Sequence, residues 1–174
     1  DQKVPDQKVP DMMQPDMSGP TAPWVASGGG PSYDYGLSFA IDAQGNSYIA
    51  GTYAGTAQFG TTSITTTGAF EAFVAKIKPD GTFAWVVSAG GTGSDRVDGI
   101  VADNLGNIYI TGFFEGSATF GSTTLTSKGD YDIFVVKLTS AGNFVWAKSS
   151  GGADSDKGWR IASIGAAGVI VAGT

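Results

Sequence analysis

Residues 85–145 read WVVSAGGTGSDRVDGIVADNLGNIYITGFFEGSATFGSTTLTSKGDYDIFVVKLTSAGNFV, and residues 24–84 read WVASGGGPSYDYGLSFAIDAQGNSYIAGTYAGTAQFGTTSITTTGAFEAFVAKIKPDGTFA. The two stretches align without a gap and share more than twenty identical positions, so the chain repeats with a period of 61 residues. Trp24, Trp85 and Trp146 open successive units. The shared positions include Gly29-Gly30 with Gly90-Gly91, Asp34 with Asp95, Asp42-x-x-Gly45-Asn46 with Asp103-x-x-Gly106-Asn107, and Phe73-Val74-x-Lys76 with Phe134-Val135-x-Lys137. A third copy, residues 146–174, keeps Gly151-Gly152, Asp156 and Gly173.

Each unit reads as four short strands. Residues 37–42 alternate large apolar with small side chains, as a strand does. The D-x-x-G-N turn follows, where Gly and Asn tolerate the positive φ of a tight hairpin. The second strand is residues 47–53, and a Gly/Thr-rich excursion over residues 56–68 precedes the third, residues 72–78. A Pro-Asp-Gly turn at residues 79–81 leads into the fourth, residues 83–88. The longest glycine-free stretches of the repeats, residues 69–80 and 130–141, are rich in β-formers, which leaves no place for a helix.

Four strands per unit, a tryptophan per unit and regularly placed glycine turns predict an all-β fold, a β-propeller of four-stranded antiparallel blades. Residues 24–84 and 85–145 would be the first two repeats and residues 146–174 a partial third, so about two and a half blades are present. Closed propellers have about 4 to 8 blades, and an open arc leaves blade faces bare and a strand edge unpaired. The expected partners are therefore further blades of a longer polypeptide or other copies of the same chain.

Composition agrees with this and removes several chemistries. Of 174 residues, 27 are Gly and none is Cys or His. A thiolate or imidazole metal site, a Cys nucleophile and a Ser-His-Asp triad are thereby excluded. The formal charge of −6 offers no basic stripe for phosphates, which argues against a nucleic-acid partner.

The order W…GG…D…D-x-x-GN-x-YI-x-G…FG…FV-x-K…G-x-F-x-W resembles the bacterial SBBP family, the seven-bladed β-propeller repeat. The resemblance covers residues 24–174 and implies a secreted or surface-exposed bacterial propeller of a family mostly without assigned activity. The third unit departs from it: Ile164 stands in place of the turn aspartate, and Ala167-Gly168 in place of Gly-Asn. Residues 1–20 are four copies of D-x-x-x-P. Proline excludes helix and central strand there, so residues 1–23 read as an extended Asp/Pro-rich spacer of about 3.1 Å per residue. It resembles the spacer that follows the lipidated cysteine of bacterial lipoproteins. That implies membrane association through an N-terminal lipid anchor that the sequence itself does not contain.

Candidate ligand-binding residues are the recurring Asp34, Asp95 and Asp156, which precede an inner strand, and the non-repeating Trp159, Tyr33 and Tyr35 beside the glycine-rich loops. The carboxylates either ring a cation or hydroxyl-rich ligand or accept backbone N–H bonds that pin the turn. No cofactor is required. Calcium, which takes six to eight oxygens, would draw on Asp95, Asp98, Asp154 and Asp156.

Lys76 and Lys137 read as lysines whose stems pack between strands while the ammonium meets Asp42 or Asp103. Phe83 with Trp85, and Phe144 with Trp146, are spaced to share one sheet face as core. No carboxylate pair is marked as acid and nucleophile, so the expected function is non-catalytic. It is a surface scaffold or protein-interaction module capable of self-assembly; the alternative is a carbohydrate-binding propeller with loop sites between blades.

Overall fold

The computed structural model describes residues 23–165 and 168–174. The spacer therefore lies outside the described residues except for Pro23. The first sheet orders β2 (Asp34–Ile41), β3 (Ser47–Tyr53), β6 (Glu71–Ile77) and β7 (Phe83–Gly91) side by side, all antiparallel. The second repeats the order with β8 (Arg96–Ala102), β9 (Ile108–Phe114), β12 (Asp132–Leu138) and β13 (Phe144–Ser150). A two-stranded sheet of β14 (Gly158–Ser163) and β15 (Val169–Gly173) follows. The molecule is a partial β-propeller: two complete blades and two inner strands of another. The Trp-bearing end of each fourth strand lies on the outer edge of its blade.

The Gly/Thr-rich excursion is more ordered than its composition predicts. It folds into a hairpin, β4 (Thr56–Phe59) with β5 (Thr62–Thr65) in the first blade and β10 (Ser117–Phe120) with β11 (Thr123–Thr126) in the second. Ala57 and Phe59, like Ala118 and Phe120, turn inward at alternate positions while the threonines face solvent. Each hairpin also pairs with glycines near the start of its unit. β1 (Gly28–Gly29) pairs with Phe59 and Gln58, and Gly90 and Gly91 at the end of β7 pair with Thr119 and Ala118. One continuous strand, β7, thus closes the first blade and begins the next.

The expected common face of Phe83 and Trp85 is corrected by a β-bulge. Phe83 opposes Ile77 and Trp85 opposes Lys76, so two steps on β7 match one on β6, and the two rings leave from opposite faces. Phe83 packs edge-on to Phe59 beneath the hairpin, their centroids 5.7 Å apart. Trp85 joins the cluster shared with the second blade, around Tyr48, Ile110, Phe134 and Val136. The same bulge separates Phe144 from Trp146.

The tryptophans then reach across to the next turn. Trp24 Nε1 donates to the Pro79 carbonyl at 2.9 Å, and Trp85 Nε1 to that of Ser140 at 3.1 Å. Each indole lies on the glycine of that turn, Gly81 (φ +84°) or Gly142 (φ +86°). A Cβ there would sit 2.7 Å from the Trp24 ring or 3.0 Å from that of Trp85.

Candidate functional site

The D-x-x-G-N-x-Y turn shows how these sequences spend their carboxylates. Asp42 Oδ1 accepts from the backbone N–H of Gln44 (3.0 Å) and Asn46 (2.9 Å), and Oδ2 accepts from the Asn46 amide (2.8 Å) and the Tyr48 hydroxyl (2.9 Å). Asp103 repeats the set with Leu105, Asn107 and Tyr109. The positive φ falls on Gly45 and Gly106 alone, while Asn serves as a side-chain donor instead. Burial pushes both carboxyls up, but the hydrogen bonds from Asn46 and Tyr48, or Asn107 and Tyr109, outweigh it and hold each below its ordinary 3.8.

Lys76 lies 4.0 Å from Asp42, donates to the Ser140 carbonyl at 3.2 Å and rests over the Tyr48 ring. Lys137 departs from expectation: its ammonium lies over the Tyr109 ring, 5.4 Å from the centroid, rather than pairing with Asp103.

Asp34, Asp95 and Asp156 occupy equivalent places. One oxygen of each accepts the backbone N–H of the second glycine: Gly30 at 2.7 Å, Gly91 at 2.8 Å and Gly152 at 2.7 Å. Every copy therefore pins its turn, and the surroundings set the copies apart. Asp95 is fully buried; its Oδ1, like that of Asp34, has no hydrogen-bond partner. Burial, with the neighbouring Glu71 and Glu115 charges, pushes its carboxyl up to about 7 against the bonds it accepts.

Asp98 does not join Asp95 as a ligand pair. It takes the Arg96 guanidinium at 2.6 and 2.8 Å. Asp154 is exposed, and among the described residues no group of three or more carboxylates is close enough to hold a metal ion. The four aspartates read as calcium ligands are not gathered: Asp95 and Asp156 are directed at their own backbone and Asp98 at Arg96, while Asp154 is exposed.

The junction between the first two blades holds a recess of about 190 Å³. Tyr35 on β2, Thr52 on β3 and Phe70 ahead of β6 line it from one blade; Ser94, Asp95, Arg96, Phe113 and Tyr131 line it from the other. Of the residues singled out from sequence, Asp95 and Tyr35 meet here. Tyr33 lies outside it, its ring parallel to that of Tyr35 with centroids 6.4 Å apart. Asp34 borders a separate shallow recess with Ser27, Ser32 and Gln58. Trp159, in β14, and Asp156 line neither.

Sequence reasoning passed over Phe70 and Tyr131. Both are aromatic and both precede an acidic residue at equivalent places in the repeat, so the periodicity itself carried the signal. It also passed over Phe113, where the first unit has Thr52.

No family model matches the chain. Over 125 aligned residues, 62% of this chain, it is 30% identical to an uncharacterized WD repeat-containing protein of Acanthamoeba polyphaga mimivirus. The match spans 9% of that protein's length. WD repeats are propeller blades, so this similarity and the observed sheets agree on a repeat propeller.

Proposed function

We propose that the protein is a non-catalytic propeller acting as a protein-interaction scaffold, whose open blade face receives another blade of the same repeat type. One observation carries this. Phe39 on β2 is 74% exposed, whereas its equivalent in the second blade, Ile100, is 7% exposed and sits in a cluster that includes Ala40 and Ala50 of the first. Ile41, two residues on along the regular part of β2, lines the same exposed face. The surface that one blade offers the next is thus left apolar and uncovered on the first blade, and such patches mark association sites. The unlike ends of the arc make the contact heterologous, head to tail.

Sedimentation velocity over a range of concentrations tests the reading. The 174-residue chain is expected to associate, and Phe39→Asp to reduce association without lowering the melting temperature. A monomer throughout would overturn it.

The resemblance to the bacterial SBBP repeat supports placing the protein at a bacterial surface or outside the cell. Fractionation of the source cells is the check. A second reading, a carbohydrate-binding propeller, is favoured by the aromatic recess between the first two blades.

A further inference from the structure

The recess at the first blade junction combines apolar walls with few, well-separated polar groups. Tyr35, Phe70, Phe113 and Tyr131 supply aromatic surface, while Ser94, Asp95 and Arg96 supply polar atoms. The size limits the guest. About 190 Å³ falls below the roughly 300–1,000 Å³ of sites for drug-sized ligands, and suits a single ring.

Charge limits it further. The Lys157 ammonium already lies 4.6 Å from the Tyr131 ring centroid and 4.8 Å from that of Phe113, and the Arg96 guanidinium lies 5.7 Å from that of Phe113. Two cations over these rings oppose a third. An anion would meet Asp95, whose neighbours include Glu71 and Glu115. A neutral guest remains.

The hydrogen-bonding groups then decide its chemistry. Asp95 is fully buried, borders the recess, and keeps Oδ1 unpartnered while Oδ2 holds the Gly91 N–H. Three buried carboxylate oxygens among the described residues lack a partner, Asp34 Oδ1, Asp95 Oδ1 and Asp98 Oδ2, and of these residues Asp95 alone lines this recess, where a guest can supply the missing donor. Arg96 gives Asp98 its Nε and Nη2 groups, and the guanidinium fork has five N–H donors in all. The recess therefore offers a carboxyl oxygen as acceptor, guanidinium and hydroxyl donors, and flat apolar rings. A pyranose matches this set, with vicinal hydroxyls on its rim and a C–H face for stacking on an aromatic side chain.

We propose that the blade-junction recess formed by Tyr35, Phe70, Asp95, Arg96, Phe113 and Tyr131 binds one neutral sugar ring, with a hydroxyl donating to Asp95. This rests on the carbohydrate-binding reading and assigns it one site.

Amide NMR titrations of the 174-residue protein test it, with D-glucose, D-galactose, D-mannose, L-fucose, N-acetyl-D-glucosamine and tetramethylammonium chloride as probes. At least one sugar is expected to shift the amides of residues 91–96 and 113 saturably. Asp95→Asn keeps an acceptor for Gly91 and should weaken that sugar by about tenfold or more, a loss of about 1.4 kcal/mol. Tyr35→Ala, at a half-exposed side chain, should weaken it severalfold with the remaining spectrum unchanged.

Three results would overturn the assignment. Saturable sugar shifts confined to Tyr33 or Trp159 would spare the carbohydrate reading and remove this site. Silence from every sugar would remove both. Tighter binding of tetramethylammonium than of any sugar would show the recess to be a cation site.

Discussion

Asp34, Asp95 and Asp156 make the same bond to the same turn, and what separates them is what covers them. Asp95 is fully buried at the blade junction, beside Glu71 of the first blade and Glu115 of the second, which pushes its carboxyl from 3.8 up to about 7. The sign of the effect follows from proton counting. Between about pH 4 and 7 the folded chain keeps a proton that the unfolded chain has released, so Asp95's contribution is whole below 3.8 and is lost as pH rises through about 7.

Asp42 and Asp103 act in the opposite sense. Their folded values are depressed, so their contribution is present above about pH 4 and disappears as pH falls through those values. The melting temperature should therefore fall between about pH 5 and pH 8, and Asp95→Asn should flatten that slope and raise the value at pH 8 by a few degrees. Calorimetry at the two pH values checks it; parallel slopes for the two proteins would refute the assignment. The residue pattern announced that three aspartates share a job. It was silent about which one is buried, since that depends on Phe70 and Glu71 of the neighbouring blade.

At the scale of the element, the tryptophan strand and the following Gly turn form one device. The indole caps a carbonyl and lies against the face of Gly142 or Gly81 that a side chain would occupy. Gly142→Ala would require both φ of +86° and displacement of the Trp85 ring. It is expected to destabilise by about 1–3 kcal/mol. Trp85→Ala should cost about 3 kcal/mol.

The double variant should fall short of the sum by at least about 0.5 kcal/mol, because the steric clash exists only while the indole is present. Urea melts of the four proteins measure this, and strict additivity would refute the contact. The strands and turns were legible from alternation and glycine placement. The hairpin over residues 56–68 was not, because its threonines and glycines resemble loop composition and only Ala57, Phe59 and Ile64 turn inward. The bulge opposite Lys76 escaped notice as well, since a period-two pattern does not register one extra residue.

At the scale of the whole molecule, stability should follow how completely each sheet is covered. The buried strands β9 and β12 lie within the second blade, between the first blade and β14. In contrast, β14 and β15 make a two-stranded sheet, a unit that is marginal by itself. Native-state hydrogen exchange should give β9 the slowest amides and β15 some of the fastest. Equal protection of the two would contradict this gradient.

The amino-acid sequence alone was sufficient for the 61-residue period, the four strands of each blade and the all-β class, because strand alternation and turn glycines are local properties repeated in register. The blade-junction recess, the burial of Asp95, the reach of Trp85 to Ser140 and the uncovered face of Phe39 were decided by tertiary structure. Each depends on residues about 25 to 95 positions apart meeting across neighbouring blades, and no local pattern records which side chain covers another.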